Sequence, residues 1–422
     1  MTVFYSLARK LLDIEIWIVG GLVAASMIWI QLLPVAVIAG MGFWLLRWMV
    51  YRYFTRRTPA DWGIFLLVLL AVTGFWLAGR SEDVLVQVLR LLSGVVLYYS
   101  VVNSIQTEGR NTYLILGFLL AGLSLSFFAL IGVQWADDKI AIIPPTVYNY
   151  FDILVSDTAN PNVLAGYLAL LLPFPLAVLV FGKRGGSGER SRLALWYLSI
   201  ISIIVISVIL VLTQSRGAWI AIGAVVIMLV SMRWKWGWLS ILVPLAAVLA
   251  AGSFAGYPLL LESILTSRNV ASVSDRLDLW YRAIMVIRDF PFSGVGMGSF
   301  GKVVELFYPY RSIGTDSTMH THNLPLQVGV DLGLPGVVSW LAVILALGVS
   351  SYHIYRCGRI RVDGWLAGFG AGYLGSLVAY MIHGMVDAVT WGMVRPAPLV
   401  WAIWGGIAAA VSTWLVCDRS PN

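Results

Sequence analysis

Residues 193–232 read LALWYLSIISIIVISVILVLTQSRGAWIAIGAVVIMLVSM. Two apolar runs flank Thr213-Gln214-Ser215-Arg216, and Arg216 is the only charged residue in the stretch. One crossing of the hydrocarbon layer takes ~20 mostly apolar residues. The stretch therefore reads as two transmembrane helices joined by a tight hairpin. Gly217 and Ala218 let the second helix approach its neighbours closely.

The same reading extends along the chain. Of 422 residues, 59% are apolar and 12% charged, and mean hydropathy is +0.86. An average soluble domain carries roughly 25% charged residues, so this chain cannot cover a water-facing surface. Apolar windows near 14–31, 33–50, 62–79, 84–102, 112–133, 162–181, 193–213, 217–232, 237–255, 324–350, 364–382 and 396–416 predict an all-α polytopic membrane protein with about twelve transmembrane helices. The 19 Trp and 18 Tyr suit membrane interfaces. We expect a single integral membrane domain over residues 1–422.

The net charge of +7 is a matter of topology, with no nucleic acid implied, because the basic residues cluster in short loops between apolar segments. With both termini cytoplasmic, the inner loops hold Arg9 and Lys10, Arg47 to Arg57, Arg110, Lys183 to Arg192, Arg233 and Lys235, Arg356 to Arg361, and Arg419; the short outer loops hold little beyond Arg80 and Lys139. That is the positive-inside asymmetry. Cys357 and Cys417 both fall on the inner side, so no disulfide is expected. Arg9, Lys10, Asp13 and Glu15 precede the first apolar stretch, which lacks a cleavage pattern and reads as an anchor.

Two outer segments exceed simple turns, 134–161 and 256–323. The second carries Arg268, Arg276, Arg282, Arg288, Lys302 and Arg311 against the charge asymmetry. Such a set suits an anionic partner, although long loops also escape the positive-inside rule. Within it, Asp275–Asp289 predicts an amphipathic helix capped by Ser274. Leu277, Leu279, Trp280, Ala283, Ile284 and Ile287 form its apolar face, with Arg276 in the middle. A guanidinium there needs a counter-ion, which a phosphate would supply, unless it snorkels or pairs locally. Arg282 falls with the acids and reads as a solvated residue paired to Asp278.

His320-Thr321-His322-Asn323 leads into the next span, where Asp331 lies about two turns in and must face the bundle interior. His322 is a candidate general base, or simply a polar loop residue; two His without a Cys or Glu nearby make a poor zinc site. His383 and Asp387, four apart, suit a structural hydrogen bond or a wall of the same cavity. The spans hold few acids beyond Asp331, and no phosphate-cradling glycine loop is present. Neither an ion gradient nor a nucleotide is indicated, and no cofactor is expected. An activated diphosphate substrate would bring its own energy.

Four passages make the chain resemble the O-antigen ligase and polymerase superfamily of membrane glycosyltransferases. They are Asn160-Pro161-Asn162; Ser215-Arg216-Gly217-Ala218-Trp219; Arg276 to Trp280 with Pro291-Phe292-Ser293-Gly294-Val295-Gly296; and His322-Asn323 through Asp331-Leu332-Gly333 to Gly336, where Asp331 replaces the commoner Glu. The resemblance implies a GT-C-type architecture with one large periplasmic or extracellular loop containing amphipathic helices. It also implies a place in the bacterial cytoplasmic (inner) membrane and a glycan donor on polyprenyl (undecaprenyl) diphosphate. In it, Arg216 and Arg276 would hold the diphosphate, and His322 would act on the acceptor hydroxyl without a metal. Asn323, Asp331, His383 and Asp387 are candidate supporting residues, and the roles of His320, His383 and Asp387 stay open. The acceptor would be a glycolipid, a glycan or a protein, so polymerase and protein oligosaccharyltransferase activities stand beside ligase. A transporter of lipid-linked glycan or a small anion would need the arginines but not His322.

Overall fold

Apolar runs make the helices here, while prolines, glycines and a few polar caps decide where they stop. The computed structural model describes residues 2–105, 108–135, 143–151, 153–155, 158–182, 189–255, 273–309, 320–392 and 394–414. In chain order the helices are α1 (Thr2–Asp13), α2 (Glu15–Ser26), α3 (Leu32–Tyr51), α4 (Asp61–Leu77), α5 (Glu82–Ser104), α6 (Glu108–Gly132), α7 (Pro161–Leu171), α8 (Pro173–Phe181), α9 (Glu189–Leu212), α10 (Arg216–Arg233), α11 (Leu242–Ala255), α12 (Val273–Asp289), α13 (Phe300–Phe307), α14 (Leu324–Ile360), α15 (Gly364–Gly384) and α16 (Pro398–Trp414). Among the described residues the one β contact is an isolated bridge between Val133 and Ala159, which joins the ends of the 134–161 segment.

The chain is a helical membrane protein. Among the described residues, 8 helical stretches are long and apolar enough to cross a membrane. The other four windows fall on shorter apolar helices, Glu15–Ser26, Asp61–Leu77, Gly237–Ala246 and Pro398–Ser412. Their ends explain the shortfall. Asp61 accepts hydrogen bonds from the Thr58 amide and hydroxyl where α4 starts, and Gly79 and Arg80, both at positive φ, stop the chain after it. Of the 256–323 segment, 256–272 and 310–319 lie outside the described residues, as do Lys139 and Cys417.

The chain divides into two compact units. The first holds Met1–Leu114, Arg282–Cys357 and Ala388–Asn422. In it α5 and α16 lie close, since a Cβ on Gly94 would overlap Trp401 and one on Gly405 would meet the Tyr98 carbonyl. Glu15 of α2 and Arg47 of α3 form a buried ion pair. Neither is the loop residue the sequence suggested, because each needs the other once out of water. The second unit holds Ile115–Tyr281 and Gly358–Asp387. Here Asn160 caps α7 by accepting from the Asn162 amide at 2.8 Å. Gly368 and Gly372 of α15 sit four apart against α8, the close approach that small residues permit.

The 37-residue α14 is two helices joined at Gly333, whose φ of 71° and ψ of −175° are not helical. The break frees backbone groups that hydrocarbon would leave unpaired. The Pro291–Gly298 loop takes them up. Val295 N donates to Val330 O at 2.8 Å, Gly296 N to Asp331 O at 3.1 Å, and Leu334 N to Pro291 O at 2.7 Å. A Cβ at Gly333 would stand 2.7 Å from the Pro291 carbonyl oxygen. Gly333→Ala is expected to cost about 2–4 kcal/mol, from the left-handed backbone and the overlap together. Gly348→Ala, where a Cβ meets nothing within 4 Å, should be neutral or stabilising by up to about 1 kcal/mol. Unfolding of both variants in the same detergent checks this, and equal midpoints would refute it.

Candidate functional site

In the second unit, the turn before α10 is set by Tyr148. Its hydroxyl donates to Leu212 O at 2.9 Å and accepts from Gln214 Nε2 at 2.7 Å. Gln214 takes a φ of 51°, after which Ser215 is the residue before α10 and Arg216 is its first residue. Gly217 then packs against the end of α15, because a Cβ there would lie 2.5 Å from Val386 Cγ2 and 3.6 Å from His383 Cδ2. The close approach expected of Gly217 and Ala218 is what the structure has, with Ala218 fully buried.

Arg276 comes to the same place from α12. It shares the buried side of that helix with Leu279 and Ala283, whereas Leu277 and Ile284, expected on the apolar face, are exposed. Its Nη1 donates to Val386 O at 3.1 Å, within the turn that ends α15. Its Nε is buried without a hydrogen-bond partner. Burial pushes the Arg276 pKa down, the Asp387 carboxylate opposes that, and the Arg216 charge adds to it. His383 and Asp387 are both buried, and the Asp387 amide donates to His383 O at 3.0 Å. Thus the second unit gathers Arg216, Arg276, His383 and Asp387: two guanidiniums, one carboxylate and one imidazole, with an arginine N–H still to be satisfied.

In the first unit, His322 N donates to His320 Nδ1 at 3.2 Å, and the rings lie 4.0 Å apart between centroids. Since His320 Nδ1 accepts, a neutral His320 carries its proton on Nε2. His322 has a φ of 49°, a sharp turn that histidine tolerates better than branched residues. Asn323 follows as the cap of α14, its Oδ1 accepting from the Leu326 amide at 3.0 Å. Thr321 N donates to Gln327 Oε1 at 2.9 Å, and Gln327 Nε2 donates to Asp331 Oδ1 at 3.0 Å. Asp331, fully buried, also accepts from Gly298 N at 3.3 Å and from Trp391 Nε1 at 2.9 Å. One chain of hydrogen bonds therefore runs from the histidine turn to the break in α14 and its loop.

One local expectation is corrected. Ser274 lies inside α12, which begins at Val273. Arg282 donates to the carbonyls of Tyr308 and Pro309, at 2.8 Å for Pro309, and so binds the chain where it leaves α13. Tyr148, Gln214, Gln327 and Trp391 were missed. Only Gln214 and Gln327 carried a signal, an amide within an apolar run, which demands a partner.

The fold and these residues define a helical membrane protein with two guanidiniums gathered beside a buried His–Asp turn. Residues 201–341 match the family model described as O-Antigen ligase, in agreement with the resemblance read from the sequence. The match includes Arg216, Arg276, His322, Asn323 and Asp331, leaves His383 and Asp387 outside it, and points to a membrane glycan-transfer role. No curated protein matches the chain.

Asp331 uses both oxygens as acceptors, so Asp331→Asn sets an amide NH₂ against a donor on one side. A loss of about 1–3 kcal/mol is expected. Adding Trp391→Phe removes one of the opposed donors, so the double variant should lose less than the sum of the singles. Strict additivity in unfolding experiments would show that the Asp331–Trp391 bond is not a tie.

Proposed function

We propose that the chain transfers a glycan from a polyprenyl diphosphate carrier to an acceptor hydroxyl at the outer face of the bacterial cytoplasmic membrane, in the manner of an O-antigen ligase. The observation that carries the reading is the half-buried Arg276, its Nε unpartnered, electrostatically coupled to Arg216 and Asp387. Two partly buried cations held together repel one another, and an anion spanning both relieves that repulsion. A diphosphate does this, and guanidinium binds its oxygens two at a time.

The chemistry follows from those charges. The acceptor oxygen attacks the anomeric carbon, its proton passes to His322, and the bond from the anomeric carbon to the diphosphate oxygen breaks. The departing polyprenyl diphosphate gains negative charge, which Arg216 and Arg276 stabilise more than they do in the bound donor. The Asp387 carboxylate opposes the effect of burial on Arg276. In this reading the guanidiniums carry the charge work without a metal ion. The lipid tail of the donor stays in the bilayer, so only its head group has to be recognised.

Purified protein given a polyprenyl-diphosphate glycan with glycolipid, glycan and protein acceptors in separate arms tests the reading. His322→Ala should turn over about 10²–10⁴-fold more slowly, the range for a lost general base, while still retaining donor. Arg276→Ala should release donor. Undiminished turnover in His322→Ala would remove that residue from the mechanism. Donor retention without turnover by wild type in every arm would replace transfer with transport.

A further inference from the structure

A second cationic site lies at the opposite end of α10 from Arg216, wholly within the second unit. Arg233 closes α10, and its Nε donates to Val180 O of α8 at 3.2 Å. Arg359, near the end of α14, donates from Nη1 to Met232 O at 3.3 Å. Both side chains are exposed, yet each is tied to a neighbouring helix. Between them is a cavity of about 250 Å³, walled by Phe181, Gly358, Val362, Asp363 and Ala367. The Asp363 carboxylate in that wall is already engaged, accepting from the amides of Trp365 at 2.9 Å and Leu366 at 3.2 Å as the cap of α15. A third arginine, Arg192, stands 5.8 Å from the centre of the adjoining Trp365 ring.

The sequence that follows Arg233 sets the depth of this site. Trp234, Trp236 and Trp238 are 52%, 64% and 55% exposed, which water would not favour and a head-group layer does. Arg233 stacks on Trp234 at 5.5 Å and Lys235 on Trp236 at 5.6 Å. Leu239, Ile241 and Leu242, also exposed, continue the apolar surface. Cations and aromatic rings alternate here, as at the boundary between head groups and acyl chains.

The cavity wall is held in a costly conformation. Val362 has a φ of 56°. Its amide donates to Arg359 O at 3.4 Å, and the Asp363 amide donates to Gly358 O at 2.9 Å. That pair of bonds is the Schellman ending of a helix, in which glycine is the usual left-handed residue. A β-branched residue there is strained. The valine instead sets an exposed apolar side chain at the cavity edge, 75% exposed.

We infer that this cavity binds the phosphodiester head group of an anionic membrane phospholipid, with Arg233 and Arg359 on the phosphate and Phe181 and Val362 beside the glycerol and upper acyl chain. A free phosphate has the same anionic chemistry. The apolar wall and the tryptophan run favour the lipid, because neither contributes to holding an inorganic ion. Basic pockets between transmembrane helices are suited to such head groups.

The test reconstitutes the full chain in phosphatidylcholine nanodiscs doped with phosphatidylglycerol and counts the lipids that native mass spectrometry finds retained. Wild type should retain phosphatidylglycerol about tenfold over its share of the disc. Arg233→Gln with Arg359→Gln should lose that preference. Val362→Trp, which fills the cavity from an exposed position and leaves both arginines, should lose it too, and serves if the double variant does not fold. Unchanged retention in either variant overturns the proposal. So does displacement of the lipid by millimolar inorganic phosphate, which would make the free ion the ligand.

Discussion

Hydrocarbon offers no partner to a backbone amide or carbonyl, and the first unit is arranged around meeting that constraint at one place, the break in α14. A continuous helix pairs its own groups, but Gly333 interrupts the ladder and leaves carbonyls at Val330 and Asp331 and an amide at Leu334. The Pro291–Gly298 loop is shaped to meet them, which is why Gly294 sits at a φ of 61° with no room for a Cβ beside Asp331. Asp331 ties the same loop a second time through Gly298 and adds Trp391 from the last part of the chain. A backbone irregularity thus becomes a rigid junction, and the histidine turn at 320–323 is hydrogen-bonded to it through Gln327.

The second unit meets a different constraint, that of like charge. Arg216 and Arg276 reach one region because Gly217 lets α10 approach the end of α15 and because Arg276 lies on the buried side of α12. Burial and the Arg216 charge both act against Arg276, and the Asp387 carboxylate and the Val386 carbonyl offset them only in part. In the proposed reading, the anionic donor is what offsets that cost.

The membrane class was legible because it rests on composition and long apolar windows, which local sequence carries. The close approach at Gly217 was legible for the same reason, whereas the cap read at Ser274 was not the helix start. What escaped depended on partners distant in sequence. Nothing around Trp391 announces a bond to Asp331, and nothing around Tyr148 announces that it holds the turn before Arg216. Apolar content alone also cannot say where a helix ends, so α2, α4 and α16 came out shorter than their windows.

The arginines show the limit of reading topology from charge counts. Arg47 was counted among loop cations, yet it is buried in α3 against Glu15 and contributes nothing to a charged surface. Arg282, partly exposed, donates to the carbonyls beyond α13. Arg276 is half-buried on a helix end, whereas Arg233 and Arg359 are exposed beside a cavity. The positive-inside rule treats these residues as equal because insertion acts on a chain before its tertiary contacts exist. The folded protein then separates them by what each guanidinium touches. That separation is a property of packing, which no count of Lys and Arg contains.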